Sequence, residues 1–179
     1  MKITKISVYK THLPYVGGVY VWGAGNKIEV AMASVVVVET DAGLTGCGEF
    51  TPCGENYMVA HSEGVEAAMR LMAPKLLGED PRQVAKIEQI MDHTIQGHGF
   101  AKAPMDAACW DILGQASGQP LWMLLGGKLT DGAPMYRVAP QKSIEESVIE
   151  LNAHREAGYR QFQIKLAQTG PWILTGSGI

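Results

Sequence analysis

The sequence predicts an α+β domain, an antiparallel meander followed by a helical bundle, and after it the first β-α-β unit of a (β/α) barrel. Three observations carry this. Strand-like runs of β-branched residues with short turns fill residues 1–50, three helical patterns follow without an intervening strand, and beyond Leu129 the order becomes strand, helix, strand.

Ile3, Ile6 and Val8 open a first, short strand. After a Gly-rich interval, Ile28 to Thr40 supplies a long second strand containing the run Val35 to Val38, Asp41-Ala42-Gly43 makes a turn, and Leu44 to Phe50 is the third strand. The first helix spans about Ser62 to Leu77 and is closed by Gly78. The second is opened by Asp80-Pro81-Arg82-Gln83, with Asp80 as N-cap, Pro81 in the first helical position and Val84, Ile87 and Met91 as its buried stripe. Gly97-His98-Gly99 breaks it. The third helix begins near Ala103, with Pro104 in its first turn, and buries Met105, Ala108, Cys109, Ile112, Leu113 and Ala116 before Gly118 and Pro120 end it. Met135 to Val138 then reads as a strand, Ser143-x-x-Glu146 as a capping box opening a helix over Ile144 to Glu156, and Tyr159 to Leu166 as a second strand. The domains expected are 1–128, 129–166 and an atypical tail, 167–179.

Composition narrows the function classes. Hydrophobic residues make up 46% of the 179, enough for a sizeable core, and the net charge is only −3 with Lys and Arg dispersed. Nucleic acid is therefore not expected as a partner. No apolar run approaches the roughly 20 residues that span a bilayer, and M-K-I-T-K starts no signal-peptide core, so the expectation is a cytoplasmic protein without a membrane partner. Cys47, Cys53 and Cys109 are odd in number and lack C-x-x-C spacing; they are expected to be free thiols, Cys109 in a core.

Ala103 to Gly127 reads A-P-M-D-A-A-C-W-D-I-L-G-Q-A-S-G-Q-P-L-W-M-L-L-G-G. An amphipathic helix needs no such tail, in which a hydrophobic hook is closed by two glycines. The block resembles the pattern A-x-D-x-A-x-W-D-x-x-G-x-x-x-G-x-P-L-x-x-L-L-G-G of the mandelate racemase and muconate lactonizing enzyme branch of the enolase superfamily. The resemblance implies that the α+β part is a capping domain, and that a (β/α) barrel carries the chemistry.

In Q-F-Q-I-K-L, Gln161, Gln163 and Lys165 share one strand face and Phe162, Ile164 and Leu166 the other. Taken alone, a lysine at a strand end meets solvent. At the C-terminal end of a barrel strand it stands where such barrels place active sites, and burial would lower its pKa towards that of a base. In the resembling family a K-x-K strand occupies this place, and its second lysine removes the proton next to a carboxylate while Mg2+ stabilises the enediolate. Lys165 matches that lysine; Gln163 replaces the first, as in members similar to proline-betaine and hydroxyproline epimerases or dehydratases. The resemblance thus implies Lys165 as catalytic base, Gln163 beside the substrate, and a small-molecule carboxylate as substrate. It implies racemisation or epimerisation of a proline-like amino acid or betaine, with acid-sugar or hydroxyproline dehydration as the alternative. A homo-oligomer is expected.

Two loops are candidates for the substrate pocket. Pro14 to Asn26, rich in Gly and aromatics, suits a mobile lid, with Trp22 as its contact. The stretch P-C-G-E-N-Y-x-x-x-H, from Pro52 to His61, resembles the corresponding loop of the proline-betaine epimerase subgroup, which implies Tyr57 as an aromatic face for the substrate ammonium. Glu49, in G-C-G-E, is expected to make a structural contact only. His61, His93 and His98 lack metal-site spacing, and Asp106 and Asp111 are read as capping and inter-domain hydrogen-bonding groups.

A (β/α)₈ barrel takes roughly 200 residues or more, against the 51 of 129–179. The acidic strand ends that hold the family's magnesium are not expected in this chain, and L-A-Q-T-G-P-W-I-L-T-G-S-G-I departs from the family pattern. The expectation is a truncation, a shifted reading frame or an imposed boundary, which leaves a catalytically inactive binding or oligomerising module as a rival reading of the chain.

Overall fold

A computed structural model describes residues 1–16, 18–22, 26–54, 57–139 and 143–164. The chain divides into two compact units, Met1–Tyr15 with Val30–Asp131, and Val16–Glu29 with Gly132–Ile179.

In the first unit, β1 (Ile3–Pro14), β4 (Val30–Thr40) and β5 (Thr45–Phe50) form an antiparallel sheet in the order β1-β4-β5. The expected meander is present, with β1 longer than its three apolar positions suggested. Its partner β4 holds it in register from Lys5↔Glu39 to Pro14↔Val30, so pairing extends the strand beyond what side-chain alternation reveals. On β4, Val36 and Val38 are buried while Val35 and Val37 are half-buried, the alternation of a sheet covered by helices on one face.

Three helices supply that cover: α1 (Ser62–Leu76), α2 (Val84–Thr94) and α3 (Gly99–Ser117). The core joins Val36 and Val38 to Val65, Met69, Met72 and Leu76 of α1, Ile87 and Met91 of α2, and Met105, Ala108, Cys109 and Ile112 of α3. Val84 packs against it, completing the α2 stripe. A buried polar staple ties sheet to helix: Ser34 Oγ donates to Ser62 O at 3.1 Å and Ser62 Oγ donates to Met32 O.

Several helix boundaries differ from expectation. Residues 80–83 form a turn before α2, in which Gln83 N donates to Asp80 O at 3.1 Å and Asp80 binds Arg82, so Asp80 is not the helix N-cap. The third helix starts four residues earlier, after left-handed His98, and Pro104 lies inside it. Leu113 is only half-buried, lining a hollow shared with α2 residues, and Ala116 is exposed. Past Gly118, α4 (Leu121–Leu124) and the following glycines form the hook, with no buried residue; Gly126 and Gly127 take φ of 103° and 101°, and Gly127 N donates to Trp122 O at 2.8 Å.

In the second unit, β2 (Tyr20–Trp22) and β3 (Asn26–Ile28) pair antiparallel; β2 lies in the segment expected to be a lid, and β3 runs past its end, so Ile28 belongs to β3 and not to the long strand it was expected to open. The parallel pair β6 (Tyr136–Ala139) and β7 (Gln161–Ile164), joined by α5 (Ile144–Glu156), makes the expected β-α-β unit. Ser143 and Glu146 form the capping box reciprocally, with Glu146 N donating to Ser143 Oγ at 3.2 Å and Ser143 N donating to Glu146 Oε2 at 3.1 Å.

Candidate functional site

The strand–helix contact that positions the loop after β5 is unusually close. A Cβ at Gly48 would stand 1.9 Å from Pro104 O, and one at Gly46 would stand 2.1 Å from Ala108 O. The G-C-G-E pattern therefore lets the α3 backbone lie directly on β5. The same helix closes the strand's open edge: Cys47 N donates to Asp111 Oδ2 at 3.0 Å, while Gln115 Nε2 donates to Thr45 O at 2.7 Å and to Asp111 Oδ1 at 2.9 Å. An exposed strand edge is thereby satisfied by side chains. Asp111 is a bonding group, but its partners lie within the first unit and not in another domain as expected; the role of Gln115 was not visible in the sequence, because a residue paired with a strand some 70 positions away leaves no local pattern.

From this platform the described residues 51–54 and 57–61 follow. Glu49 accepts from Thr51 Oγ1 at its start, which is the structural contact expected of it. Tyr15 OH lies 3.7 Å from Cys53 Sγ, Tyr57 N donates to Gly54 O at 3.1 Å, and at the far end His61 Nδ1 accepts from Gly64 N at 3.2 Å as the N-cap of α1. Tyr57 is 55% exposed between these anchors.

The remaining sequence-derived candidates belong to the second unit. Trp22 is 8% exposed, pairs with Asn26 of β3 and stacks on Tyr20 with ring centroids 5.9 Å apart. Gln163 pairs in register with Val138 and is exposed. Lys165 and the tail 167–179 lie outside the described residues. On β7, Phe162 is half-buried and Ile164 is 62% exposed, so the alternation read from the sequence is covered only in part. A hollow of about 300 Å³ lies at the start of β7, lined by Pro134, Met135 and Tyr159 to Gln161. That is the strand end opposite to the one where barrel chemistry is placed.

Among the described residues, no three His, Cys, Asp or Glu side chains gather as a metal would require. A hard dication such as Mg2+ takes several oxygen ligands, so these residues do not fit it. Among the described residues, no helix is long and apolar enough to cross a membrane.

Residues 24–126 match the family described as Mandelate racemase / muconate lactonizing enzyme, N-terminal domain. A cis-3-hydroxy-L-proline dehydratase from Roseibium aggregatum is 42% identical over 93% of this chain and 45% of its own length. An N-succinyl-L-Arg/Lys racemase from Bacillus cereus is 32% identical over 93% of this chain and 44% of its own. The structure of a mandelate racemase/muconate lactonizing enzyme from Roseovarius nubinhibens is 73% identical, with a TM-score of 0.88 over 92% of this chain and 44% of that one. Another from the same organism, complexed with magnesium, is 40% identical with a TM-score of 0.88 over 94% of this chain and 45% of that one. The chain spans less than half the length of the curated relatives it matches. With more than half of its residues matching that domain and its fold superposing on solved members, the chain belongs to the mandelate racemase/muconate lactonizing enzyme family of the enolase superfamily.

Proposed function

We propose that this chain is the capping domain (1–128) and the first barrel strands (129–166) of an enzyme that removes the proton α to a carboxylate, with Lys165 as the base. The observation that supports this is the parallel β6-α5-β7 unit, whose last strand ends at Ile164, the residue before Lys165 in the sequence. Neutral Lys165 takes the α-proton, and the electron pair left on carbon passes into the carboxylate as an enediolate. Return of a proton to the opposite face gives racemisation or epimerisation. Departure of a β-hydroxyl as water gives dehydration.

A proline-like amino acid or betaine is the proposed substrate, with Tyr57, whose aromatic face suits an ammonium group, Trp22 and Gln163 as the proposed substrate-binding residues. The 32% identity to a racemase supports epimerisation; the 42% identity to a hydroxyproline dehydratase supports the second outcome, on the same substrate class. Magnesium is the expected cofactor of the full-length protein, supported by the magnesium-complexed relative, and homo-oligomerisation is proposed with it.

Incubation with Mg2+ in deuterated water, followed by proton NMR, tests the reading with proline betaine and cis-3-hydroxy-L-proline. In a longer protein that carries this chain, wash-in of deuterium at the α-carbon is expected, with inverted configuration or loss of water deciding between the two reactions, and Lys165→Ala should abolish it; the chain alone is expected to give none. Exchange that persists in Lys165→Ala would remove the lysine from the mechanism. No exchange by this chain, together with exchange by a longer protein carrying it, would assign the chain alone to the binding or oligomerising module.

A further inference from the structure

The first unit carries a groove that the reaction above does not use. It lies between α2 and α3, has a volume of about 700 Å³, and is walled by Val84, Trp110 and Leu113, with Glu88 and Asp106 on opposite helices. A neighbouring hollow of about 390 Å³ shares the same two carboxylates, so they form the ridge common to both.

The charges around the groove are unevenly satisfied. Every cation that lines these hollows is bound to an acid other than the ridge pair: Arg82 Nη2 lies 2.7 Å from Asp80, Lys86 Nζ 2.5 Å from Glu79, and Lys102 Nζ 2.6 Å from Asp92. Neither Glu88 nor Asp106 has a cationic partner among the described residues. Burial and the charge of Glu88 hold the Asp106 carboxyl above the usual range, and a hydrogen bond from the Trp110 side chain only partly opposes this. Two uncompensated carboxylates beside an indole and an aliphatic wall match a planar cation on an apolar stem, since a guanidinium can bond a carboxylate edge-on and stack on an aromatic face at once.

We propose that the α2/α3 groove is a docking site for an arginine side chain presented by a partner polypeptide, its guanidinium set between Glu88 and Asp106 against Trp110 and its aliphatic stem against Val84 and Leu113. An ammonium group fits less well, because it offers a point charge where the groove offers a flat face and two acceptors.

The test uses the whole chain labelled with 15N, and follows the Trp110 indole resonance, assigned with Trp110→Phe, during titration with N-acetyl-argininamide. A saturable shift is expected, at least roughly tenfold weaker with N-acetyl-lysinamide and at least roughly tenfold weaker in Glu88→Gln or Asp106→Asn. Glu88 is exposed, so Glu88→Gln leaves the fold intact and keeps the test meaningful should Asp106→Asn unfold. Absence of a saturable shift, equal binding of the two probes, or unchanged binding in Glu88→Gln would overturn the proposal. A shift of the same resonance with protein concentration alone would assign the groove to a second copy of the chain and overturn the separate partner.

Discussion

Gly46 and Gly48 are constrained by the close approach of α3. Each faces a backbone carbonyl of α3 that a methyl group would overlap, and backbone cannot yield as a flexible side chain can. Gly48→Ala is expected to destabilise by about 3 kcal/mol or more, at or above the usual range for overpacking, as a lowered urea midpoint. Cys109 is fully buried, and burial first, then the Asp106 charge, pushes its thiol up to about 12. Exposed Cys47 should therefore react with a thiol reagent in the native protein, whereas Cys109 should react only on unfolding. Since the fold favours the neutral Cys109 thiol, its contribution is intact below the ordinary value of 9.0 and is lost as pH rises from there towards 12. Asp80 runs the other way. The Arg82 guanidinium holds its carboxyl down from 3.8 to about 2, so its contribution is present above 3.8 and lost as pH falls towards 2. Asp80→Asn should flatten the dependence of the urea midpoint on pH across that window.

Among the elements, α5 was read from the sequence at its observed ends, because its capping box is local: the donor, the acceptor and the first turn lie within four residues. The start of α2 was not. Asp80-Pro81 carries the same local signature as an N-cap, yet Asp80 spends its oxygens on Arg82 in a two-residue contact that competes with the helix. The edge strand β5 shows the opposite limit, since its outer groups are satisfied by Asp111 and Gln115 from a helix far along the chain. Replacing Asp111 with Ala leaves Cys47 N without its acceptor. That change is expected to cost about 1–3 kcal/mol and to raise amide exchange at Cys47 selectively, as hydrogen-exchange NMR can register.

At the scale of the whole molecule, the two units are held by different means. The first has a contiguous core shared by three helices and a sheet, whereas α5 buries no residue, and Ile144, Ile149 and Ile164 are exposed in the second. Backbone amides of α1, α3 and β4 should exchange slowly, and those of α5 at least a hundredfold faster, because protection follows buried apolar contact. The family was legible in 103–127, since a long pattern of small, apolar and acidic residues at fixed spacing survives without knowledge of the fold. So were the meander, the three helices and the β-α-β order, because hydrophobic period and turn chemistry act between near neighbours. The candidate site was legible only as residue types: Tyr57, Trp22 and Gln163 could be named, but not the exposure of the first, the burial of the second or the elements carrying them. What distant segments do to one another needed the tertiary structure. The approach of the α3 backbone to two glycines, the capping of β5 and the gathering of Glu88 and Asp106 at the α2/α3 groove all depend on segments from remote positions meeting in space, which no local pattern encodes.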